Sequence, residues 1–173
     1  GITQEKKYYR LAEPVEGPAE LSWALVKGRS NYISIRRAQL AVAEAPTLFE
    51  RERGDELAAL LDWVQKTKDG SLADLPFIPS EEVWDEVRSE PDVCLRAKCP
   101  QFQACFYQRA RRRAAAADLL VVNHHLLFTD LAVRQATQNW TQAAVLPPTK
   151  RLVLDEAHNL EDSATSRKFS CNH

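Results

Sequence analysis

No G-x-x-x-x-G-K-[ST] stretch occurs in this sequence, and its five glycines, Gly1, Gly17, Gly28, Gly54 and Gly70, stand singly. A loop of backbone N–H groups that cradles phosphates is therefore not encoded in these residues. Long apolar runs are also scarce. The longest, around Ala114 to Val122, is broken by Asp118 and falls far short of the ~20 residues needed to span a membrane. Gly1 to Arg10 carry Lys6, Lys7 and Arg10 without an apolar segment behind them, so no secretory signal is read and a cytoplasmic location is expected. Cysteine is sparse, at four residues, and the C-x₂-C knuckle favoured by structural zinc is missing.

With 173 residues, 45% of them apolar, the chain can bury a core, and the length suits one domain or slightly more. The net charge of -1 conceals a segregated distribution. Residues 44–92 are crowded with carboxylates, whereas 94–117 hold Arg96, Lys98, Arg109, Arg111, Arg112 and Arg113 without one acid. A second acid-free basic stretch runs from Lys27 and Arg29 to Arg36 and Arg37. Such surfaces attract nucleic-acid backbones by releasing counterions, although a solvated helix face produces the same pattern. Tyr32, Phe102, Phe106, Tyr107 and Trp140 are of the type that stacks on unpaired bases. Phe106 is assigned to packing, and Tyr107, beside Arg109 and Arg111, to DNA contact.

Three of the four cysteines, Cys94, Cys99 and Cys105, fall within one short segment that also holds Arg96, Lys98, Pro100 and Phe102. A C-x₄-C-x₅-C pattern of this density points to a metal or cluster site, with small buried cysteines as the alternative. Further on, Leu152-Val153-Leu154 ends abruptly in Asp155-Glu156-Ala157-His158. An unbroken apolar run suits a strand covered on both faces, and ligand chemistry gathers at the carboxyl ends of such strands. Adjacent acids there divide two tasks of nucleotide hydrolysis, holding hydrated Mg²⁺ and orienting the attacking water. The alternative is a strand ending at a polar turn, with Asp155 capping a helix.

Four blocks in order carry a resemblance: Lys27-Gly28-Arg29-Ser30-Asn31-Tyr32, the cysteine triplet, Ala117-Asp118-Leu119-Leu120-Val121-Val122-Asn123-His124, and Asp155-Glu156-Ala157-His158-Asn159-Leu160. From about residue 20 to about residue 165 the chain resembles the DinG-type DNA helicases of the XPD-like group in superfamily 2. The resemblance implies an α/β fold: part of a RecA-like parallel-sheet motor domain interrupted by a mainly helical iron–sulfur domain. It implies ATP with Mg²⁺, 5′-to-3′ unwinding, and single-stranded or forked DNA bound by a monomer without a membrane. Residues 1–26 would enter the motor domain, 27–113 form the insertion, 114–166 return with the acidic motif, and 167–173 form an atypical tail. Asp155 would hold Mg²⁺ through water, Glu156 place the hydrolytic water, and His158 connect the nucleotide to bound DNA. The sequence is expected to be a fragment of a longer motor, inactive as an ATPase alone.

In cluster-bearing relatives the first block ends in a cysteine, where this chain has Ser34; the other three ligands correspond to Cys94, Cys99 and Cys105 of the [4Fe–4S] site. A serine oxygen holds its proton far more tightly than a thiol and is hard where iron–sulfur chemistry prefers soft donors. Natural loss, an engineered replacement and a cluster with incomplete coordination all remain open. So does a non-catalytic DNA- or metal-binding module with a structural acidic motif.

Apolar spacing predicts helices over Glu20–Lys27 and Tyr32–Glu44, and one opening at Gly54-Asp55 with Leu57, Leu60, Leu61 and Val64 on one face. Ser80 is expected to cap a helix running to about Arg88, and the cysteines to lie in a loop. Phe106 to Ala116 reads as a basic helix, Leu119 to Val122 as a strand, and the histidines after Asn123 as the start of another helix. A last strand over Arg151–Asp155 is expected to pair in parallel with Leu119–Val122.

Overall fold

The computed structural model describes residues 21–44 and 51–160. The expectations for the first twenty residues and for the tail from 167 lie outside them. Two short strands, β1 (Trp23–Val26) and β2 (Leu119–Val122), pair in parallel with Trp23 opposite Leu119 and Val26 opposite Val122. The helix expected over Glu20–Lys27 is thus a strand from Trp23. Four residues cannot distinguish the two periods, and the partner that decides lies far along the chain. Asp118 anchors the start of the pair: its carboxylate accepts the Ser22 N–H and hydroxyl at 3.1 and 2.6 Å. Those hydrogen bonds lower its pKa.

A parallel pair needs a crossover, and here residues 27–118 provide it. They fold around one apolar core. Helices α1 (Ile35–Glu44), α2 (Arg51–Lys66) and α3 (Glu81–Val87) pack together, burying Ala38, Ala41, Leu57, Leu60, Val83 and Val87. The stripe predicted on α2 is real for Leu57, Leu60 and Val64, with Trp63 joining it and Leu61 only partly covered. Tyr32 and Ile33 run through the centre, bridged to Ser71 and Arg88, so the expected helix begins three residues later than Tyr32. Ser80 caps α3 by accepting the Val83 N–H at 3.4 Å.

Gly70 stands at φ 66°, and a Cβ there would lie 2.1 Å from Cγ of Phe106. Only glycine permits both that backbone and that approach. Phe106, 4% exposed, opens α4 (Phe106–Ala116), which delivers the chain to β2. Asn123 then caps α5 (His124–Thr137) through the Leu126 N–H at 2.8 Å. His124 and His125 therefore begin a helix as expected.

A second apolar cluster, Leu126, Leu127 and Leu146 with Val26, Val122, Leu131 and Val145, covers one face of the strand pair. The opposite face, Trp23, Leu25, Leu119 and Val121, is open. Beneath the cluster lies a buried ion pair. Arg134 Nε donates to Asp130 at 2.6 Å, and its guanidinium also donates to the carbonyls of Trp140, Gln142 and Leu146. Asp130 accepts the Leu146 N–H with its other oxygen at 2.7 Å. The irregular segment from Trp140 to Pro147 is held mainly by these groups, with one backbone hydrogen bond of its own from the Ala144 N–H to the Leu146 carbonyl at 3.2 Å.

The strand expected over Arg151–Asp155 is not formed. Leu152, Val153 and Leu154 belong to no regular element and are exposed by 58, 91 and 42%, and β2 pairs with β1 alone among the described strands. An unalternating apolar run is stable as a strand only with covered faces and a hydrogen-bonded neighbour, and no described residue supplies either.

Candidate cysteine cavity, acidic turn and basic surface

Ser34, Cys94, Cys99 and Cys105 arrive from three parts of the chain and line one cavity, together with Phe102 and Arg96. Ser34 comes from the start of α1, Cys94 and Cys99 from the loop around a 3₁₀ turn at Arg96–Lys98, and Cys105 from the position preceding α4. All three thiols are free and half-buried. Spacing alone could not show that Ser34 joins them; the contact is made because Ser34 N donates to the Val87 carbonyl at 2.8 Å and Arg36 reaches the Val93 carbonyl at 2.7 Å.

Ser34 already has a role in this geometry. Its hydroxyl oxygen accepts the Arg37 N–H at 3.4 Å and its carbonyl accepts the Ala38 N–H at 2.9 Å, which is the position of a helix N-cap. Burial pushes the Cys94 thiol up, but the Arg96 N–H at 3.4 Å, a hydrogen bond from Arg29 and the charges of Arg29 and Arg96 bring it below the usual thiol value. Among the described residues, no three His, Cys, Asp or Glu side chains are placed to grip a single metal ion. A polynuclear cluster asks for a different layout, because each thiolate binds its own iron.

The acidic motif forms an exposed turn. Glu156 takes left-handed backbone at φ 48°, its N–H donates to Asp155 Oδ1 at 2.9 Å, and its carboxylate lies 3.3 Å from His158 Nδ1. Asp155 thus caps its neighbour's N–H instead of a helix. The three side chains expected to serve nucleotide hydrolysis are close together, but they project from a turn and not from the tip of a buried strand.

The basic residues divide into two groups. Lys27 and Arg113 both bind Asp69, at 2.9 and 3.2 Å. Arg37 donates to the Arg88 and Asp85 carbonyls and pairs with Glu90 at 3.4 Å. Arg29 lies 4.0 Å over the Tyr107 ring, a cation–π contact that covers the aromatic expected to meet DNA. Arg111 grips the Val145 and Ala144 carbonyls, tying α4 to the segment that precedes the acidic turn. By contrast Arg96, Lys98, Arg109 and Arg112 are exposed, and Arg112 reaches only the Gln103 carbonyl. With Arg113, which is exposed although paired with Asp69, these four give the 94–117 stretch an accessible cationic surface. Asp69 and the Asp130–Arg134 pair escaped the sequence reading; for the second, the i, i+4 spacing of opposite charges inside an apolar helix was the available signal.

A family profile, DEAD_2, matches residues 85–171. The chain is 34% identical over 143 residues to the ATP-dependent DNA helicase YoaA of Haemophilus influenzae, covering 82% of this chain and 22% of that protein. It is 33% identical over 162 residues to the ATP-dependent helicase DinG of Mycobacterium tuberculosis, covering 86% of this chain and 23% of the relative. A Bacillus subtilis protein named 3'-5' exonuclease DinG is 28% identical over 150 residues, covering 86% of this chain and 15% of the relative. The chain spans about a fifth of the length of the first two relatives. Because the profile covers half of the sequence, from the end of α3 through the cysteine cavity, β2, α5 and the acidic turn, the chain belongs to the DEAD_2 family.

Proposed function

We propose that this chain is part of an ATP-dependent DNA helicase that couples hydrolysis to 5′-to-3′ unwinding of single-stranded or forked DNA, acting as a cytoplasmic monomer. The observation that carries the reading is the parallel pairing of β1 and β2 around a helical excursion containing the cysteines. This is the arrangement expected if a RecA-like sheet is interrupted by an inserted domain over residues 27–113 and resumed over 114–166. The names of the relatives and the DEAD_2 match support it. Polarity rests on the resemblance alone.

In this reading Asp155 holds hydrated Mg²⁺, Glu156 orients the attacking water and His158 relays DNA occupancy. ATP supplies the phosphoryl group, and the phosphate-binding loop must come from outside these 173 residues, none of which encode one. The exposed cations Arg96, Lys98, Arg109 and Arg112 contact the DNA backbone, while Lys27, Arg29, Arg36, Arg37, Arg111 and Arg113 hold the surface in shape. Tyr107 serves DNA indirectly, as the platform under Arg29.

The residues at the cavity do not fit a [4Fe–4S] cluster held by four thiolates. Among the described residues three sulfurs line it, and the Ser34 oxygen is engaged at the start of α1.

The test is Glu156→Gln in the full-length parent. Hydrolysis should vanish while nucleotide binding persists, because the amide keeps the shape and loses the ability to polarise water. Loss of binding instead would make Glu156 structural. The 173-residue chain alone should show no turnover with or without single-stranded DNA.

A further inference from the structure

The geometry points to a seat for one unpaired nucleobase in the groove between β1, α4 and the segment from Asp69 to Asp74, with the indole of Trp23 as its stacking surface. This rests on the reading of the chain as DNA-binding and deepens it: the cationic surface of α4 meets phosphates, and the groove takes a base from the same strand. Of the aromatics that the sequence offers for stacking, Tyr32 and Phe106 lie in the core and Tyr107 lies under Arg29. Trp23 is 67% exposed, the most open aromatic side chain among the described residues.

The groove has a volume of about 370 Å³, within the ~300–1,000 Å³ of sites that hold small ligands. Trp23 and Leu25 give it an apolar wall, and the small side chains of Ala73 and Ala110 leave the space open. Its charges cancel. Lys27 and Arg113 both pair with Asp69, at 2.9 and 3.2 Å, and Asp74 accepts the Thr67 hydroxyl at 2.5 Å. A phosphate finds no surplus positive charge there, whereas a neutral flat ring with donors and acceptors along its edge matches an aromatic wall facing such pairs. The strand reaches the groove along α4. At about 100° per residue, Arg112, Arg109 and Arg113 follow one another around the helix over an arc of about 100°, and Ala110 comes next beyond Arg113. All three arginines are exposed, so the basic surface ends at the lip of the groove. A strand with phosphates on Arg112 and Arg109 therefore has a base within reach of Trp23. Stacking accepts every base, because each has a π face, and the seat adds affinity without sequence preference.

The experiment is a fluorescence anisotropy titration of the full chain with an oligothymidylate and with an abasic strand of the same length. The chain is compared with its Trp23→Ala, Trp23→Leu, Trp23→Phe and Arg109→Ala variants, each checked for folding by far-ultraviolet circular dichroism. Trp23→Ala should weaken oligothymidylate binding by about 5-fold or more, the low end of what one stacked base contributes, and leave abasic-strand binding as it was. Trp23→Leu, which keeps an apolar side chain on the strand, should do the same, and it decides the question if alanine disturbs the fold. Trp23→Phe should recover most of the loss. The salt dependence should stay that of the unchanged chain in all three Trp23 variants, because no phosphate contact is removed, whereas Arg109→Ala should weaken both strands alike. With Trp140, the other exposed indole, replaced by phenylalanine, oligothymidylate should quench the tryptophan emission and the abasic strand should not.

Equal losses on both strands for the Trp23 variants, or no loss on either while Arg109→Ala still weakens both, would overturn the base seat and leave the surface of α4 as the DNA contact. The same titrations apply to the full-length parent. A Trp23→Ala parent that loses thermal stability but no oligothymidylate affinity would show the groove to be filled by another part of that protein, which also overturns the seat. Failure of the unchanged chain and the parent to bind either strand would sink the DNA reading itself, and the seat with it.

Discussion

Replacing Arg134 with leucine should be the most damaging single change in the segment that leads to the acidic turn. Arg134 and Asp130 are both more than nine-tenths buried and lie 2.6 Å apart, and Arg134 also satisfies three backbone carbonyls at 3.0–3.2 Å. Leucine conserves bulk but strands the Asp130 carboxylate in an apolar cluster and removes the guanidinium from the Trp140, Gln142 and Leu146 carbonyls, of which Leu146 keeps the Ala144 N–H. Removing one partner of a buried pair costs about 3–5 kcal/mol. Individual hydrogen bonds to a charged group are worth about 1.5–3 kcal/mol, but they share one side chain and do not add. With a urea slope of about 2 kcal/mol per molar for a chain of this size, the midpoint should fall by about 2 M. Asp130→Leu with Arg134→Leu should be less harmful than Arg134→Leu alone, because no charge is then left behind. The assay is urea unfolding followed by circular dichroism for the chain, both single variants and the double variant. A loss below about 1 kcal/mol for Arg134→Leu, or additive costs in the double variant, would refute the assignment of the pair as the anchor of this segment.

Two further outcomes follow from the charge arrangement. Burial raises the Asp69 carboxyl pKa, but hydrogen bonds from Ser71 and Lys27 and the charges of Lys27 and Arg113 leave it below the ordinary 3.8. A depressed folded pKa contributes stability above the unfolded value and loses it as pH falls through the folded one, so the deficit of Asp69→Asn should be full at neutral pH and shrink below about pH 4. Urea midpoints across that range check the sign, and a constant deficit down to about pH 3 would contradict it. Arg109→Ala and Arg112→Ala should each weaken single-stranded DNA binding and flatten its salt dependence by about 0.7 in logarithmic slope. Arg111→Ala should leave the slope unchanged and lower thermal stability, since Arg111 holds the Val145 and Ala144 carbonyls. Fluorescence anisotropy over a salt series separates the two, and equal effects at all three positions would undo the division.

Elements legible in the sequence were those whose signals are local. Ser80 and Asn123 announce helix starts because an N-cap acts within three residues, and α4 follows from an alanine- and arginine-rich run. The strand at Trp23–Val26 was not legible, since four apolar-leaning residues take whichever period their partner imposes, and that partner begins at Leu119. The same physics misled in the other direction at Leu152–Leu154, where composition indicates a buried strand but no described neighbour pairs with it. Cysteine density marked a site, yet only the geometry shows Ser34 engaged as a cap within it. Arginine content likewise marked a basic surface without revealing that Asp69, Glu90, an aromatic ring and several carbonyls already occupy much of that charge.

The register of β1 against β2 also sets an order of events during folding. Ser22 and Asp118 meet across 96 residues of chain, and closing a flexible loop of that length costs about 4 kcal/mol in entropy before any length-independent term. Two strands of four residues return little against that. The helical excursion removes most of the cost if it folds first, because Asp69 in its middle holds both Lys27, just after β1, and Arg113, near the end of α4. The two ends of the excursion are thereby delivered side by side, and the sheet then closes a short gap instead of a long one. Weakening the core around Tyr32, Leu57 and Val87 should accordingly slow formation of a sheet that none of those residues touches.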